Sequence, residues 1–299
     1  MPVRIPERKQ FEIRYNGKTL HLGRKTAIMG ILNITPDSFS DGGLYLRPSF
    51  AVKKAEQLLK EGADIIDIGG ESTRPGSFPI SQTSEANRVV PVIRRIREDL
   101  GHDFFISIDT YKADVARQAL ENGADIVNSL SGFELDRKIT VVVKDFRCPV
   151  IMYHIKGVPR TMQSNPYYKD VVKDVMTYFR AQINVAKSEG VYENQLLIDP
   201  GIGFGKSTRD NLRLLRKLDL FSSLGRPLVV GVSRKRHLGS VLKSALQLKA
   251  LPSESDRLEA ALAETSMAVY NGANIIRTHD VLQTKKFTAV IDNLLQIRG

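Results

Sequence analysis

The chain has 299 residues, 42% of them hydrophobic, with one cysteine, no tryptophan and a formal net charge of +11. A length of this order builds one large core without requiring a second domain, no apolar stretch approaches the roughly 18 residues that span a bilayer, and the lone Cys148 excludes an intrachain disulfide. Lys and Arg are spread along the chain with no tryptophan to stack on bases, which argues against a nucleic-acid partner. An ordinary basic surface accounts for most of the charge, and a few well-placed cations could serve an anionic substrate.

The first ten residues, MPVRIPERKQ, hold no apolar core and predict no signal peptide, so a cytoplasmic protein is expected. Residues 11–22, FEIRYNGKTLHL, predict a hairpin with Asn16-Gly17 as its two-residue turn. Eight short apolar runs follow, each ending in polar or charged residues: 27–33, 64–70, 104–110, 125–131, 149–155, 195–201, 227–233 and 274–280. Helical spacing separates them, as in the apolar set Ala51, Val52, Ala55, Leu58 and Leu59. Phe287, Val290, Ile291, Leu294 and Leu295 predict a second apolar face at the chain end. Eight buried strands alternating with helices predict an α/β fold, a (β/α)8 barrel closed at the bottom by the hairpin, as one domain over 1–299.

A short repeat supports this reading. EGADIIDI (61–68), NGADIVNS (122–129) and NGANIIRT (271–278) each place Gly at a left-handed helix end just before a strand. Cys148, beside Pro149 at a strand start, reads as a small core residue. The Ala-rich stretch 254–271 could pack closely against a second subunit. Segments 34–47 and 71–83, rich in Gly, Pro, Ser and Asp, are long enough to cover a site.

In such a barrel the C-terminal strand ends face one pocket. Asp109, Asn128 and Asp199 fall there, and together they offer several acceptors and an amide to one ligand. A heterocycle rich in N–H donors would suit them. A divalent metal is the competing reading, though no His pair or close carboxylate cluster accompanies the two aspartates. DPGIGFGK (199–206) is not a Walker A loop, because three residues separate Gly201 from Gly205 where that motif needs four. Its glycines let backbone approach a ligand, and Phe204 offers an aromatic face. Ser233, Arg234, Lys235 and Arg236 follow the seventh run. Arg277 and His279 alternate at the end of the eighth, where barrels often bind phosphate.

NITPDSFSDGG (33–43), DIGGESTRPG (67–76), SIDTYK (107–112), DPGIGFGK (199–206), SRK (233–235) and RTHD (277–280) resemble the motifs of dihydropteroate synthases, in order, across residues 25–299. The resemblance implies a transferase that joins 6-hydroxymethyl-7,8-dihydropterin diphosphate to 4-aminobenzoate, with Mg2+ and as a homodimer. It implies that Asp109, Asn128, Asp199 and Lys235 hold the pterin, and that Asn33, Arg277 and His279 bind the diphosphate, with the metal near Asn33. Thr73, Arg74, Pro75, Phe204, Ser233 and Lys235 would shape the aminobenzoate site, and Asp37, Ser38 and Phe39 would close over the reaction centre. Asp109, Lys235, Arg277 and His279 would carry the catalysis. Two positions depart from the common pattern: Arg236 stands where many members carry Ser, and Tyr153 where many carry Met against the pterin. A pterin-binding methyltransferase domain and a barrel that binds pterin or anions without turnover stay open as alternatives.

Overall fold

The computed structural model describes residues 8–35 and 48–297. Asp37, Ser38 and Phe39 lie outside the described residues, as does most of the first covering segment. Strands β1 (Phe11–Tyr15) and β2 (Lys18–Leu22) form the hairpin, and Asn16 and Gly17 both take positive φ, 47° and 73°, as a turn matched to strand twist requires.

The eight apolar runs become eight parallel strands: β3 (Ala27–Asn33), β4 (Ile65–Gly69), β5 (Phe105–Asp109), β6 (Ile126–Leu130), β7 (Val150–Tyr153), β8 (Leu196–Asp199), β9 (Val229–Val230) and β10 (Ile275–Thr278). Pairing runs β8-β7-β6-β5-β4-β3-β10-β9. A parallel bridge between Ile198 and Leu228 brings the two ends together and closes the barrel. The seventh strand is two residues long, much shorter than its apolar run.

Helices wrap the outside: α1 (Pro48–Lys60), α2 (Gln82–Leu100), α3 (Ala113–Glu121), α4 (Ile139–Phe146), α5 (Val171–Ser188), α6 (Thr208–Arg216), α7 (Arg236–Ala245), α8 (Leu258–Tyr270) and α9 (Val281–Gln296). Strand alternation sorts the core into two parts. Ile66, Ile106, Val127, Val150, Leu196 and Ile276 face outward against the helices. Met29, Ile65, Phe105, Ile126, Ile151, Leu197, Val229 and Ile275 face inward and form one apolar layer with Ile13 and Leu22 of the hairpin. The hairpin therefore plugs the N-terminal end of the barrel. Cys148 is fully buried in the outer core, as its neighbours in sequence suggested.

The repeat has a structural basis. Gly62, Gly123 and Gly272 take φ of 101°, 109° and 105°. In each copy the following Ala N–H reaches back to the helix, as in Ala63 to Leu58, Ala124 to Ala119 and Ala273 to Ala268. The next side chain then accepts a strand N–H: Asp64 from Ile28 at 2.7 Å, Asp125 from Ile106 at 2.9 Å and Asn274 from Leu228 at 2.9 Å.

Helix α9 corrects one expectation. Ile291 and Leu295 pack against the core, but Phe287, Val290 and Leu294 are exposed, and the buried positions are Val281, Thr284, Thr288 and Asp292. Asp292 is buried because it accepts from Arg8 at 2.5 Å and from the Thr26 backbone at 2.7 Å. A polar anchor, and not the apolar stripe, fixes which way the helix faces.

Candidate active site at the C-terminal strand ends

On six of the strands the inward positions above the apolar layer are polar. Register carries Ile65 to Asp67, Phe105 through Ser107 to Asp109, Ile126 to Asn128, Ile151 to Tyr153, Leu197 to Asp199 and Ile275 to Arg277. A period of two along each strand thus delivers these side chains to one end of the barrel. A narrow pocket opens there, lined among others by Asn128, Tyr153, Asp199, Phe204, Lys235 and Arg277.

Arg277 organises the floor. Its Nε donates to Asp67 and its Nη2 to Asp109, both at 2.6 Å. Asn128 Nδ2 lies 3.3 Å from Asp67, and the Tyr153 hydroxyl donates to the other Asp109 oxygen at 2.9 Å. Burial pushes Asp109 up to about 7, opposed by Arg277 and reinforced by Asp67. Burial also raises Asp199 to about 6, opposed by the Gly201 N–H, which it accepts at 2.7 Å, and by Lys235. Burial and Arg277 lower Lys235 to about 8, and its ammonium sits 4.0 Å above the Phe204 ring. Asp67, Asp109 and Asp199 thus share one end of the barrel with Arg277 and Lys235, a set able to accept from a donor-rich ligand and to donate to it.

The glycine-rich loop after β8 fits tightly against the strand beside it. Gly201 and Gly205 take φ of 68° and 60°, and a Cβ at either would meet the His154 or Lys156 carbonyl at 1.8 or 2.3 Å. Lys206 locks the loop from within: its ammonium reaches the Gly201 and Phe204 carbonyls and His154 Nδ1, each at 2.9 Å. Burial, with Lys206 beside it, holds His154 far below its ordinary value, so the neutral ring accepts that bond.

Ser233 Oγ and His279 Nδ1 lie 3.0 Å apart beside the pocket, and Arg234, at a positive φ of 59°, pairs with Asp280 at 2.8 Å. Burial and the nearby Arg234 and Arg277 lower His279 to about 3. Asp280 opposes that shift. Arg236 is exposed at the first position of α7.

Asn33 ends β3 close to Asp109. A Cβ at Gly69 would sit 3.4 Å from Asn33 Oδ1 and 3.6 Å from Asp109 Cβ. No group of three or more His, Cys, Asp or Glu able to hold a metal occurs among the described residues. A single amide oxygen fits Mg2+, which keeps its waters and takes substrate phosphate oxygens in preference to an all-protein cage. Thr73, Arg74 and Pro75 do not line the cavity. Arg74 is exposed and pairs with Glu254 at 3.7 Å, while Thr73 is half-buried in the loop after β4.

Reasoning from sequence assigned no role to Asp67, although it shares the inward parity of Ile65 and is a charge inside an apolar run. Nor did it find the Lys206–His154 contact, which pairs residues 52 apart and leaves no local pattern.

Residues 29–279 match the model of a family described as pterin binding enzyme. The chain is 42% identical over 279 residues to a dihydropteroate synthase of Synechocystis, covering 93% of each chain. It is similar to a Yersinia pestis dihydropteroate synthase solved with a sulfonamide drug, with a TM-score of 0.86 at 36% identity and coverage of 95% and 98%. It is similar also to a Xanthomonas albilineans dihydropteroate synthase solved with 4-aminobenzoic acid, with a TM-score of 0.86 at 35% identity and coverage of 97% and 100%.

Proposed function

The chain belongs to the dihydropteroate synthase family of pterin-binding enzymes, transferases of folate biosynthesis, and from that premise and the pocket geometry we propose how its residues carry the reaction. The observation that carries the reading is the convergence of Asn128, Asp199, Lys235 and Arg277 on one cavity, with Asp67 and Asp109 bonded to Arg277 beside it. The substrates are 6-hydroxymethyl-7,8-dihydropterin diphosphate and 4-aminobenzoate, and the products are 7,8-dihydropteroate and pyrophosphate.

Asp109, Asn128 and Asp199 accept the ring N–H donors of the pterin while Lys235 donates, and Phe204 supplies an aromatic wall. Arg277, His279 and Asn33 take the diphosphate. His279 enters as a neutral donor, and the arriving negative charge favours its protonation. Asn33 would help to hold Mg2+, which would supply charge neutralisation to the leaving group. The bond between the pterin methylene carbon and the diphosphate oxygen breaks, and its electron pair leaves with pyrophosphate. Asp109 stabilises the cation left on the pterin. The amine nitrogen of 4-aminobenzoate then bonds to the methylene carbon and loses a proton to solvent. This amine needs placement more than a strong base. Thr73, Arg74, Pro75, Phe204, Ser233 and Lys235 provide that placement, and no covalent enzyme intermediate forms.

The whole chain acts as one domain, in the cytoplasm, as a homodimer. Exposed Met267 on α8 and Phe287, Val290 and Leu294 on α9 give the dimer reading an apolar face to bury. No helix among the described residues is long and apolar enough to cross a membrane.

A pyrophosphate-release assay with dihydropterin diphosphate and Mg2+, with and without 4-aminobenzoate, tests the reading. Amine-dependent release with dihydropteroate detected by mass is the expected result. Pterin binding by calorimetry without product overturns it in favour of a binding protein or a methyltransferase.

A further inference from the structure

The loop between Gly69 and α2 carries Thr73, Arg74 and Pro75, and its two ends meet at one ammonium group. Lys112 Nζ donates to Glu71 at 2.6 Å, to the Ile80 carbonyl at 2.8 Å and to Glu85 at 2.6 Å. Glu71 in turn accepts the Ile80 N–H at 2.8 Å, so the first and last turns of the loop are tied to each other as well as to the lysine. The Lys112 side chain is 12% exposed, and those of Glu71 and Glu85 are 7% and 1%. The loop tip is held by a backbone bond from the Gly76 N–H to the Pro159 carbonyl at 3.2 Å, by Ser77 Oγ donating to the Ser72 carbonyl at 2.6 Å, and by exposed side-chain contacts. Arg74–Glu254 at 3.7 Å is exposed on both sides, and Phe78, under the Arg160 guanidinium, is 67% exposed. Exposed pairs of this sort contribute little, whereas a desolvated ammonium with three charge-assisted or carbonyl partners is costly to open.

Lys112 lies three residues beyond Asp109, in the short connection from β5 to α3. The clasp therefore fixes the loop relative to the carboxylate that faces the reacting ring.

We propose that Lys112 is a positioning residue: its ammonium buckles the 71–80 loop shut at its base and so fixes the loop that carries Thr73 and Pro75, the residues assigned above to 4-aminobenzoate. The proposal rests on the reaction assigned above. It predicts a selective loss. Lys112→Met should raise KM for 4-aminobenzoate roughly tenfold or more while leaving the affinity for the pterin substrate within about twofold, because only the second substrate depends on the loop. Amide hydrogen exchange across 72–80, the Ile80 N–H above all, should accelerate in the same variant. Lys112→Arg, which keeps a cation in reach of both carboxylates, should restore most of both properties.

Losing the lysine strands two buried carboxylates, so the double variant K112M/E85Q repeats the measurement with one of those charges removed, should Lys112→Met fail to fold. Unchanged KM and unchanged exchange in a folded variant overturn the proposal. So does an equal loss of pterin affinity, aminobenzoate affinity and melting temperature, which would make the cluster a general support of the fold. If the wild-type protein makes no dihydropteroate, the reaction itself is wrong, and the exchange measurement alone still decides whether Lys112 holds the loop.

Discussion

The two ends of the barrel are built from the same residue types and use them in opposite ways. At the N-terminal end, buried Asp125 accepts from Lys18 at 2.7 Å, from Arg97 at 2.5 Å and from the Ile106 backbone at 2.9 Å. Asp292 is filled as completely by Arg8 and by both donors of Thr26. At the C-terminal end, one Arg277 is shared between Asp67 and Asp109, and Asp199 faces the cavity with a backbone N–H on one oxygen. Burial then raises Asp109 and Asp199, which holds protons on groups that a donor-rich ligand would strip of them. A carboxylate whose partners all come from the fold supports the fold. A carboxylate left short of partners is kept for something that arrives from outside.

Asp125→Ala should give the largest effect on stability. It leaves Arg97 and Lys18 buried without their partner, a change that costs about 3–5 kcal/mol. Chemical denaturation should read this as a lower midpoint, with kcat per folded molecule unchanged. A fall in kcat without loss of stability would erase the distinction between the two ends.

Asp109→Asn should invert that pattern. Turnover should fall about 100-fold, the scale of losing one well-placed electrostatic stabiliser, with melting temperature held or raised. The sign follows from linkage. In the folded protein Asp109 titrates near 7, above its ordinary 3.8. Between those values the folded state binds the extra proton, so its contribution to stability declines as pH rises from about 4 to about 7. The asparagine variant should lose that part of the decline, which melting curves at pH 5 and pH 8 would reveal. Near-wild-type turnover in Asp109→Asn would remove the electrostatic role.

Tyr153→Phe should act more gently and through the same carboxylate. The phenol donates to Asp109 and favours its ionised form. Without it Asp109 rises further, turnover drops about three- to tenfold, and the acid limb of the pH–rate profile moves to higher pH. An acid limb that stays in place would reduce Tyr153 to packing against Phe204, whose ring centroid lies 5.4 Å away.

The barrel was legible in the sequence because its signals are local. Each strand is one apolar run, and each helix-to-strand joint repeats Gly-Ala-Asp/Asn-Ile, in which the glycine turns the chain and the polar residue caps a neighbouring strand. Position at a strand end also pointed to Asp109, Asn128, Asp199 and Arg277. What escaped depended on long-range pairing. Asp67 reads as one more residue of a strand until Arg277, 210 positions away, is placed against it. Lys112, Glu71 and Glu85 look like surface charges until two loops fold over them. The apolar stripe on α9 misled in the other direction. Periodicity marks a face to be covered, but with Asp292 anchored only Ile291 and Leu295 of that face reach the core, and Phe287, Val290 and Leu294 stay exposed.

The smallest effect should come from the capping residues of the repeat, and it sharpens the comparison from the structural side. Asp64 accepts the Ile28 N–H through one carboxylate oxygen. Asn274 does the same work for Leu228 through an amide oxygen. The position therefore needs an acceptor of this shape and not a charge. Asp64→Asn should be almost neutral in melting temperature, losing little more than the 3.4 Å contact with Lys285. Asp64→Ala should lose about 1 kcal/mol, because the strand N–H is then left without its partner. Neither change should move KM or kcat. At the opposite end of the barrel the same Asp-to-Asn exchange, at Asp109, removes the charge on which turnover depends. If Asp64→Asn proved as destabilising as Asp64→Ala, charge would matter at both ends, and the division of labour between them would fail.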